Sequence, residues 1–201
     1  YRRPLAHRGS TLDFFCADFV AGAGRILQSP SDVQPDVQLD DSIGNWVEDR
    51  VDVGFRIGGP PADGLIARRL FPLQLVICAT PAYLARHGAP QTLEELSMHR
   101  CNAFRHPGTG QLMPWYLRVG SAIVQRSLPM TMSTNDGELE MHAVLSGQVL
   151  AQLPGCAVAE HLRSGRLVTV LGEHMTDTWA CMSITAAAPP SPRACARLSI
   201  W

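Results

Sequence analysis

The sequence predicts an α/β fold. Two observations carry this prediction: apolar alternation typical of short strands recurs along most of the chain, and segments with helical spacing and capping residues lie between those strands. Glycine- and proline-rich breaks, such as Gly58-Gly59-Pro60-Pro61, separate successive elements. Strands that alternate with helices in sequence are typical of α/β proteins with mainly parallel sheets.

Bulk composition fits a globular chain. The 201 residues are 46% hydrophobic and 17% charged, a length that suits one large domain or two small ones. With a net charge of −1, the chain lacks the excess of basic residues that favours binding to nucleic acid. All 17 basic residues are arginine, which excludes a Schiff-base or phosphate-loop lysine. An anion bound here must therefore meet arginine, a backbone N–H or a hydroxyl.

The elements are predicted in order from local patterns. In the first part of the chain, residues with helical spacing predict one helix at 14–27 and a second that begins after Asp41-Ser42. Strands are expected at 33–39, 51–57, 65–67 and 73–79. Thr80 and Pro81 have the N-cap and N1 positions of a helix that ends at Gly88. Thr92 and Glu95 have the spacing of a capping box, which predicts another short helix.

The second part of the chain continues the alternation. Asn135-Asp136 predicts the start of a helix whose apolar face holds Leu139, Ala143, Leu145 and Val149. A further helix is expected at 157–164, and a last one begins at Ser191-Pro192 and continues to Trp201. The predicted strands are 101–104, 115–119, 130–133, 149–153, 167–171 and 180–186.

Enzyme and metal motifs do not stand out. The chain lacks G-x-G-x-x-G, H-E-x-x-H and G-x-S-x-G patterns, which argues against an enzyme and against a nucleotide cofactor. His99, Cys101 and His106 form an H-x-C-x4-H spacing that fits no common zinc family, so no metal site is assigned. Apolar runs are shorter than the ~18 residues that would predict a membrane span.

Polar residues at strand ends and helix starts form the candidate binding set, because ligands of open α/β sheets bind beyond the carboxyl ends of strands. Helix capping is the competing interpretation for Asp41, Thr80 and Asn135, and a structural salt bridge competes for Arg56, whose neighbours in its strand are apolar. The set comprises Asp41, Ser42, Arg56, Thr80, Phe104, Arg105, Asn135 and Asp136.

Several ordered segments resemble the effector-binding domain of LysR-type transcriptional regulators, from about residue 41 to Trp201. Each segment is weakly specific alone, but the ordered set is specific. The segments are Asp52-Val-Gly-Phe-Arg-Ile-Gly58, Leu65-Ile-Ala-Arg-Arg-Leu70, Val76-Ile-Cys-Ala-Thr-Pro-Ala-Tyr-Leu84, His99-Arg-Cys-Asn-Ala-Phe-Arg105, Asn135-Asp-Gly137, Leu153-Pro154 and Gly165-Arg-Leu-Val168.

The resemblance implies a type 2 periplasmic-binding-protein-like fold, with two α/β subdomains, two crossover strands and a cleft between the subdomains. Residues 1–72 with 176–201 would form the first subdomain, and 73–175 the second. A small effector is expected in the cleft, with its carboxylate held by Arg56 or Arg105 and with Ser42 and Thr80 adding donors. The family binds DNA through an N-terminal winged helix-turn-helix domain, and the resemblance implies that this domain is absent from residues 1–201. A cytoplasmic homodimer or homotetramer is expected.

Two other functions stay open at this point. A periplasmic solute-binding protein of a transporter shares the fold and would need a signal peptide or lipid anchor upstream of Tyr1. A thiol redox sensor on the regulator scaffold would need a cysteine of low pKa in electropositive surroundings. Cys101, close in sequence to Arg100 and Arg105, is the candidate for that role.

Overall fold

The computed structural model describes residues 36–39, 53–58, 65–106, 109–186 and 197–200, which form a mixed α/β structure. The helices within these ranges are α1 (Pro81–His87), α2 (Gly137–Leu145) and α3 (Gly155–Arg163), with 3₁₀ turns at Glu95–Met98 and Gly172–His174. The strands are β1 (Asp36–Leu39), β2 (Val53–Gly58), β3 (Leu65–Ala79), β4 (Cys101–Phe104), β5 (Trp115–Val119), β6 (Ala122–Arg126), β7 (Met130–Thr134), β8 (Ala151–Pro154), β9 (Val168–Thr169), β10 (Thr176–Ala186) and β11 (Arg197–Ile200).

The largest sheet has the strand order β1-β11-β2-β10-β3-β8, and β9 also pairs with β3. β1, β11 and β2 are parallel neighbours, whereas β2, β10, β3 and β8 are antiparallel to one another in turn. The prediction of mainly parallel sheets is therefore wrong for this part of the structure. The reason is that β3 and β10 are long strands that run side by side in opposite directions over most of their lengths.

β3 joins two segments that were predicted as separate strands, 65–67 and 73–79. Exposed Arg68, Arg69 and Pro72 interrupt the apolar pattern, yet all three pair with β10, with a register shift between the pairs Phe71–Cys181 and Arg69–Met182. The predicted subdomain boundaries lie at residues 72/73, inside β3, and at 175/176, immediately before β10. The division into subdomains stays a prediction.

The core of the 73–175 segment lies on both faces of β3. Alternate residues of the strand point to opposite faces. Ile77 and Ala79 belong to one buried cluster together with Tyr83. Val76 and Cys78 belong to a second cluster that includes residues of α2, β8 and α3. Burial on both faces explains why residues 75–79 of β3 are apolar at every position.

The helix signals around Thr80 are confirmed. The Thr80 hydroxyl accepts a hydrogen bond from the Tyr83 N–H at 3.1 Å, and Gly88 ends α1 with a φ of 79°. The capping box is confirmed in part, because Thr92 Oγ1 accepts from the Glu95 N–H at 3.4 Å. The Glu95 carboxylate accepts from the Gln91 N–H instead of the Thr92 N–H, and only a 3₁₀ turn follows.

Three other predictions are corrected. The buried face of α2 holds Glu140 and Val144, while Leu139 is exposed, so the predicted apolar face is displaced by one residue. The final predicted helix is wrong at β11, where the chain pairs in parallel with β1 and β2. β6 was not predicted because its residues are mostly exposed and lack strict alternation. The predicted helices at 14–27 and after Asp41-Ser42 lie outside the described residues.

Gly147 is the turn position where glycine matters most to this packing. Its φ is +69°, and an added Cβ would lie 2.9 Å from the Thr80 hydroxyl and 3.2 Å from the Arg86 guanidinium. We expect Gly147→Ala to destabilise the fold by roughly 1–3 kcal/mol. Alanine is strained in a left-handed backbone, and its methyl group would also push against the Thr80 hydroxyl that caps α1. Urea unfolding measures the loss.

Gly120→Ala is the matched control for this prediction. Gly120 has a φ of +60°, with open space around its Cβ position. Alanine at position 120 meets the cost of a left-handed backbone but no steric contact. Gly147→Ala should therefore lower the free energy of unfolding by more than Gly120→Ala does. Equal losses for the two variants would show that the contact with Thr80 costs nothing.

Candidate functional site

The candidate site is built on the carboxyl ends of two parallel strands. β4 and β7 pair in parallel, with Phe104 opposite Thr134 at their ends. The Arg105 N–H donates to the Thr134 carbonyl at 2.7 Å, which extends the pairing by one residue. Because the two strands end together, Phe104 and Arg105 lie beside Asn135 and Asp136 at one edge of this sheet.

Arg105 is held in place by neutral groups. Its guanidinium donates to the Gly110 carbonyl at 2.7 Å and to the Ser133 hydroxyl at 3.2 Å. The loop that follows β4 folds back against it, and Arg105 forms an isolated bridge with Leu112. The side chain is exposed, and no carboxylate of the described residues pairs with it. Its positive charge is therefore positioned and available to an anion.

Other arginines of the same region are used differently. Arg118 pairs with Asp177 at 3.0 Å, and Arg126 pairs with Glu94 at 3.2 Å. Both acids are exposed, so these ion pairs add little to stability. They do neutralise the two guanidinium groups, which sets Arg105 apart among the three.

Asp136 is committed to the start of α2. Its Oδ1 accepts from the Leu139 N–H at 2.8 Å, and its own N–H donates to the Thr134 hydroxyl at 3.0 Å. The prediction of a helix cap at this position is confirmed. Asn135, one residue earlier, is exposed and presents an amide at the same edge. The pair thus divides into a positioning carboxylate and a free polar side chain.

The structure separates Thr80 from these four residues. β3 is antiparallel to β8, whereas Cys101 at the start of β4 bridges in parallel to Leu150, just before β8. β3 and β4 therefore run in opposite directions, and Thr80, which follows the end of β3, lies level with the beginning of β4. Phe104, at the other end of β4, lies about 13 Å from Thr80 along the strand direction. Thr80 is buried and caps α1, which matches the capping alternative.

The remaining predicted site residues cannot be placed against this edge. The backbone of Arg56 lies in β2, opposite Met182 of β10, and its side chain is not described. Asp41 and Ser42 lie outside the described residues. The structure thus brings together Phe104, Arg105, Asn135 and Asp136 and leaves the rest of the set as predictions.

A buried polar pair that the sequence reasoning missed lies beneath the site. Asn102 of β4 donates from Nδ2 to Glu140 Oε1 of α2 at 2.6 Å, and both residues are buried. Burial raises the pKa of Glu140 to about 7, against the opposing effect of the Asn102 hydrogen bond. Asn102 Oδ1 is buried without a partner. The sequence feature that could have indicated this pair is the polar Asn102, which lies among apolar residues in the predicted strand 101–104.

The candidate thiol for redox sensing does not have the predicted properties. Cys101 is fully buried, and its Sγ lies 3.4 Å from the Leu96 carbonyl. Burial raises the pKa of Cys101 to about 12, the opposite of the low value that a reactive thiol needs. Cys101 therefore does not fit the thiol-sensor alternative, for which it was the candidate.

Metal-binding clusters and membrane-spanning helices are both absent from the residues that the structure describes. No group of three or more His, Cys, Asp or Glu side chains is arranged there to hold a metal ion. None of the helices in the described ranges has the length and apolar character needed to cross a membrane.

Comparison with known families decides the assignment. A family model described as the LysR substrate binding domain matches residues 21–198. The chain belongs to this family. The resemblance to LysR-type effector-binding domains is confirmed, and most of the match lies within residues that the structure describes.

Curated relatives of this LysR domain are transcriptional regulators. The HTH-type transcriptional regulator CrgA of Neisseria meningitidis serogroup C is 34% identical over 133 residues, which are 66% of this chain and 44% of CrgA. The HTH-type transcriptional regulator DmlR of Escherichia coli K12 is 33% identical over 147 residues, 71% of this chain and 47% of DmlR. The chain spans about half the length of the curated relatives it matches.

Solved structures confirm the fold of the LysR domain. The regulatory domain of Neisseria meningitidis CrgA matches with a TM-score of 0.70 and 25% identity, over 88% of this chain and 84% of that one. The regulatory domain of AphB from Vibrio vulnificus matches with a TM-score of 0.65 and 20% identity, over 90% and 88%. The fold is the type 2 periplasmic-binding-protein-like fold of LysR regulatory domains, as predicted.

Proposed function

We propose that this LysR effector-binding domain senses a small anionic metabolite, bearing a carboxylate, at the edge formed by the ends of β4 and β7. The single observation that carries the proposal is the guanidinium of Arg105. It is positioned by Gly110 and Ser133, exposed, and without a carboxylate partner among the described residues. A hydrogen bond from the guanidinium to an anion, in which both groups are charged, is stronger than the present bonds to two neutral acceptors.

The four residues at this edge have different roles in the proposal. Arg105 binds the carboxylate, and the Asn135 amide donates to a second polar group of the ligand. Phe104, which is partly buried, supplies an apolar surface. Asp136 keeps its bond to the Leu139 N–H and fixes the start of α2. A direct role for the Asp136 carboxylate as an anion ligand is disfavoured, because like charges repel.

The first-subdomain side of the site remains a proposal from the family resemblance. Arg56, Asp41 and Ser42 would face the ligand from across the cleft. Closure of the two subdomains around the ligand would then change how an oligomer presents its DNA-binding domains. Only a ligand that binds one arrangement more tightly than the other can shift that balance.

The whole protein is proposed to be a cytoplasmic transcriptional regulator and not an enzyme. Support comes from the relatives CrgA and DmlR, both HTH-type transcriptional regulators. In this proposal DNA is bound through an N-terminal domain, and the protein acts as a homodimer or homotetramer. The same relatives favour a regulator over the alternative of a periplasmic solute-binding protein. The buried Cys101 removes the main support for the thiol-sensor alternative.

A melting-temperature screen tests the proposal. The purified chain is heated at pH 7 in the presence of one small mono- or dicarboxylic acid at a time, or of the matching amide. Each compound is present at about 10 mM, which is about 100 times a Kd of about 0.1 mM. A ligand at about 100 times its Kd stabilises the folded state by ~2.7 kcal/mol, which corresponds to a rise of about 5–10 °C in a domain of this size.

We expect at least one carboxylate to raise the melting temperature while its amide does not. Sodium chloride at equal ionic strength controls for general salt effects. A response to amides alone, or equal responses to an acid and its amide, would show that the site does not select for the negative charge.

A further inference from the structure

The buried pair of Asn102 and Glu140 is the feature of this structure that the proposed effector site leaves unexplained. It joins two different elements, because Asn102 belongs to β4 and Glu140 to α2. Arg105 follows Asn102 by three residues, and Asp136 precedes Glu140 by four. The pair therefore links two elements that adjoin the four residues of the candidate site.

The hydrogen-bonding capacity of the pair is incomplete as it stands. Asn102 Nδ2 donates to Glu140 Oε1, and Asn102 Oδ1 has no partner although it is buried. A buried polar atom without a partner costs roughly 1–3 kcal/mol. An ionised carboxylate can only accept hydrogen bonds and cannot satisfy this oxygen, whereas a protonated one carries an O–H donor.

A protonated Glu140 can complete a two-bond ring with the amide of Asn102. Nδ2 would donate to Oε1 of the acid, and the acid O–H at Oε2 would donate to Oδ1 of the amide. This ring satisfies the orphaned oxygen and removes a buried negative charge in a single proton binding step. No arginine of the described residues pairs with Glu140 to stabilise the charged form instead.

We propose that Asn102 and Glu140 form a pH-sensitive clasp between β4 and α2, held by two hydrogen bonds when Glu140 is protonated and by one after it ionises. The pKa of Glu140, raised by burial to about 7, places this change near neutral pH. Ionisation loosens the attachment of α2 beneath Arg105 and Asp136. This consequence for ligand binding rests on the proposed function, whereas the clasp itself does not.

None of the described titratable groups on β3, β4 and β7 that are packed against Glu140 changes charge in this range. On β3, Cys78 interacts with Glu140, and burial raises the pKa of Cys78 to about 12. On β4, Cys101 is likewise neutral, with a pKa raised to about 12 by burial. β7 contributes Met-Thr-Met-Ser-Thr and carries no titratable side chain. On α2 itself, His142 lies 3.6 Å from Glu138, and this pair is ionic only while the histidine is protonated. Glu140→Gln keeps His142, so comparing this variant with the wild type separates the effect of Glu140 from that of the histidine.

The sign of the stability effect follows from the raised pKa. The unfolded chain releases the Glu140 proton near pH 4.5, and the folded chain holds it to about pH 7. Between these values the folded state binds more protons, so the contribution of Glu140 to stability is full below pH 4.5 and falls until about pH 7. Above pH 7 it no longer changes.

The test compares melting temperatures of the wild type and Glu140→Gln from pH 4.5 to 8.5, with Glu160→Gln as an exposed control on α3. Glutamine can make both hydrogen bonds to Asn102 at every pH. We expect the wild type to lose roughly 5–10 °C relative to Glu140→Gln between pH 4.5 and 7. Glu160→Gln should follow the wild type throughout.

A second measurement needs no variant that might fail to fold. Carboxyl carbon NMR of the wild type, labelled at glutamate, should show a glutamate that titrates near pH 7. Parallel melting curves for the wild type and Glu140→Gln, or the absence of any glutamate titrating above about pH 6, would overturn the clasp.

The dependence of ligand binding on pH tests separately whether the ionisation of Glu140 affects the candidate site. A monocarboxylic acid with a pKa below about 5 is used here, because it is almost fully ionised at both pH 6 and pH 8 and its own charge hardly changes. The carboxylate-induced rise in melting temperature should be smaller at pH 8 than at pH 6 in the wild type, and equal at both in Glu140→Gln. If no carboxylate binds at any pH, the proposed function fails while the melting curves still decide the clasp.

Discussion

Replacing Arg105 with glutamine is expected to weaken carboxylate binding by roughly 10- to 100-fold, since a hydrogen bond to a charged group contributes about 1.5–3 kcal/mol. Stability should change little, because Arg105 is exposed and its present partners are the Gly110 carbonyl and the Ser133 hydroxyl. Titration calorimetry with the carboxylate that gives the largest melting-temperature rise measures the affinity.

Arg126→Gln is the matched control for Arg105→Gln. It removes the same charge from β6, where Arg126 pairs with the exposed Glu94 at 3.2 Å. We expect its affinity to stay within about twofold of the wild type, because exposed ion pairs contribute little and lie outside the site. A similar loss in both variants would mean that net charge, and not the position of Arg105, governs binding.

Truncating Trp115 is expected to cause the largest loss of stability, about 3–5 kcal/mol for Trp115→Ala. Its side chain is 4% exposed and packs in the cluster that includes Ile77, Leu117 and Leu150. Its indole N–H also donates to the Asn102 carbonyl at 3.2 Å, so truncation removes a hydrogen bond from β4. Urea unfolding followed by circular dichroism measures the effect.

Two further tryptophan variants separate packing from hydrogen bonding. Trp115→Phe keeps most of the ring but loses the donor to Asn102, and should cost about 1–2 kcal/mol. Trp179→Ala removes a partly buried ring that meets Tyr116 edge-on at 6.0 Å, and should cost less than half as much as Trp115→Ala. A loss at Trp179 equal to that at Trp115 would contradict this account of the core.

Local chemistry made several elements predictable. Thr80 with Pro81, and Asp136 before α2, combine a capping oxygen with the correct spacing, and both caps form as predicted. β4 was predicted with its observed bounds because three of its four residues are apolar and arginines lie on both sides of it. The edge that carries Phe104, Arg105, Asn135 and Asp136 was also predictable, since it follows from two strand ends and one helix start.

Pairing direction and helix rotation were not predictable in the same way. Whether β3 runs parallel or antiparallel to β8 depends on contacts between distant segments, and that direction places Thr80 at the opposite edge. The buried face of α2 includes Glu140, which a hydrophobic pattern assigns to solvent. Its burial makes sense only with Asn102, 38 residues earlier, as its partner.

The location of the bound anion is the most direct test of the central claim. Amide NMR spectra recorded during titration with the best carboxylate report which backbone groups sense the ligand. The account predicts the largest shift changes at Arg105 and at residues 134–137, where β4 and β7 end and α2 begins. Changes centred instead on Thr80 and Gly147, at the opposite edge, would contradict it.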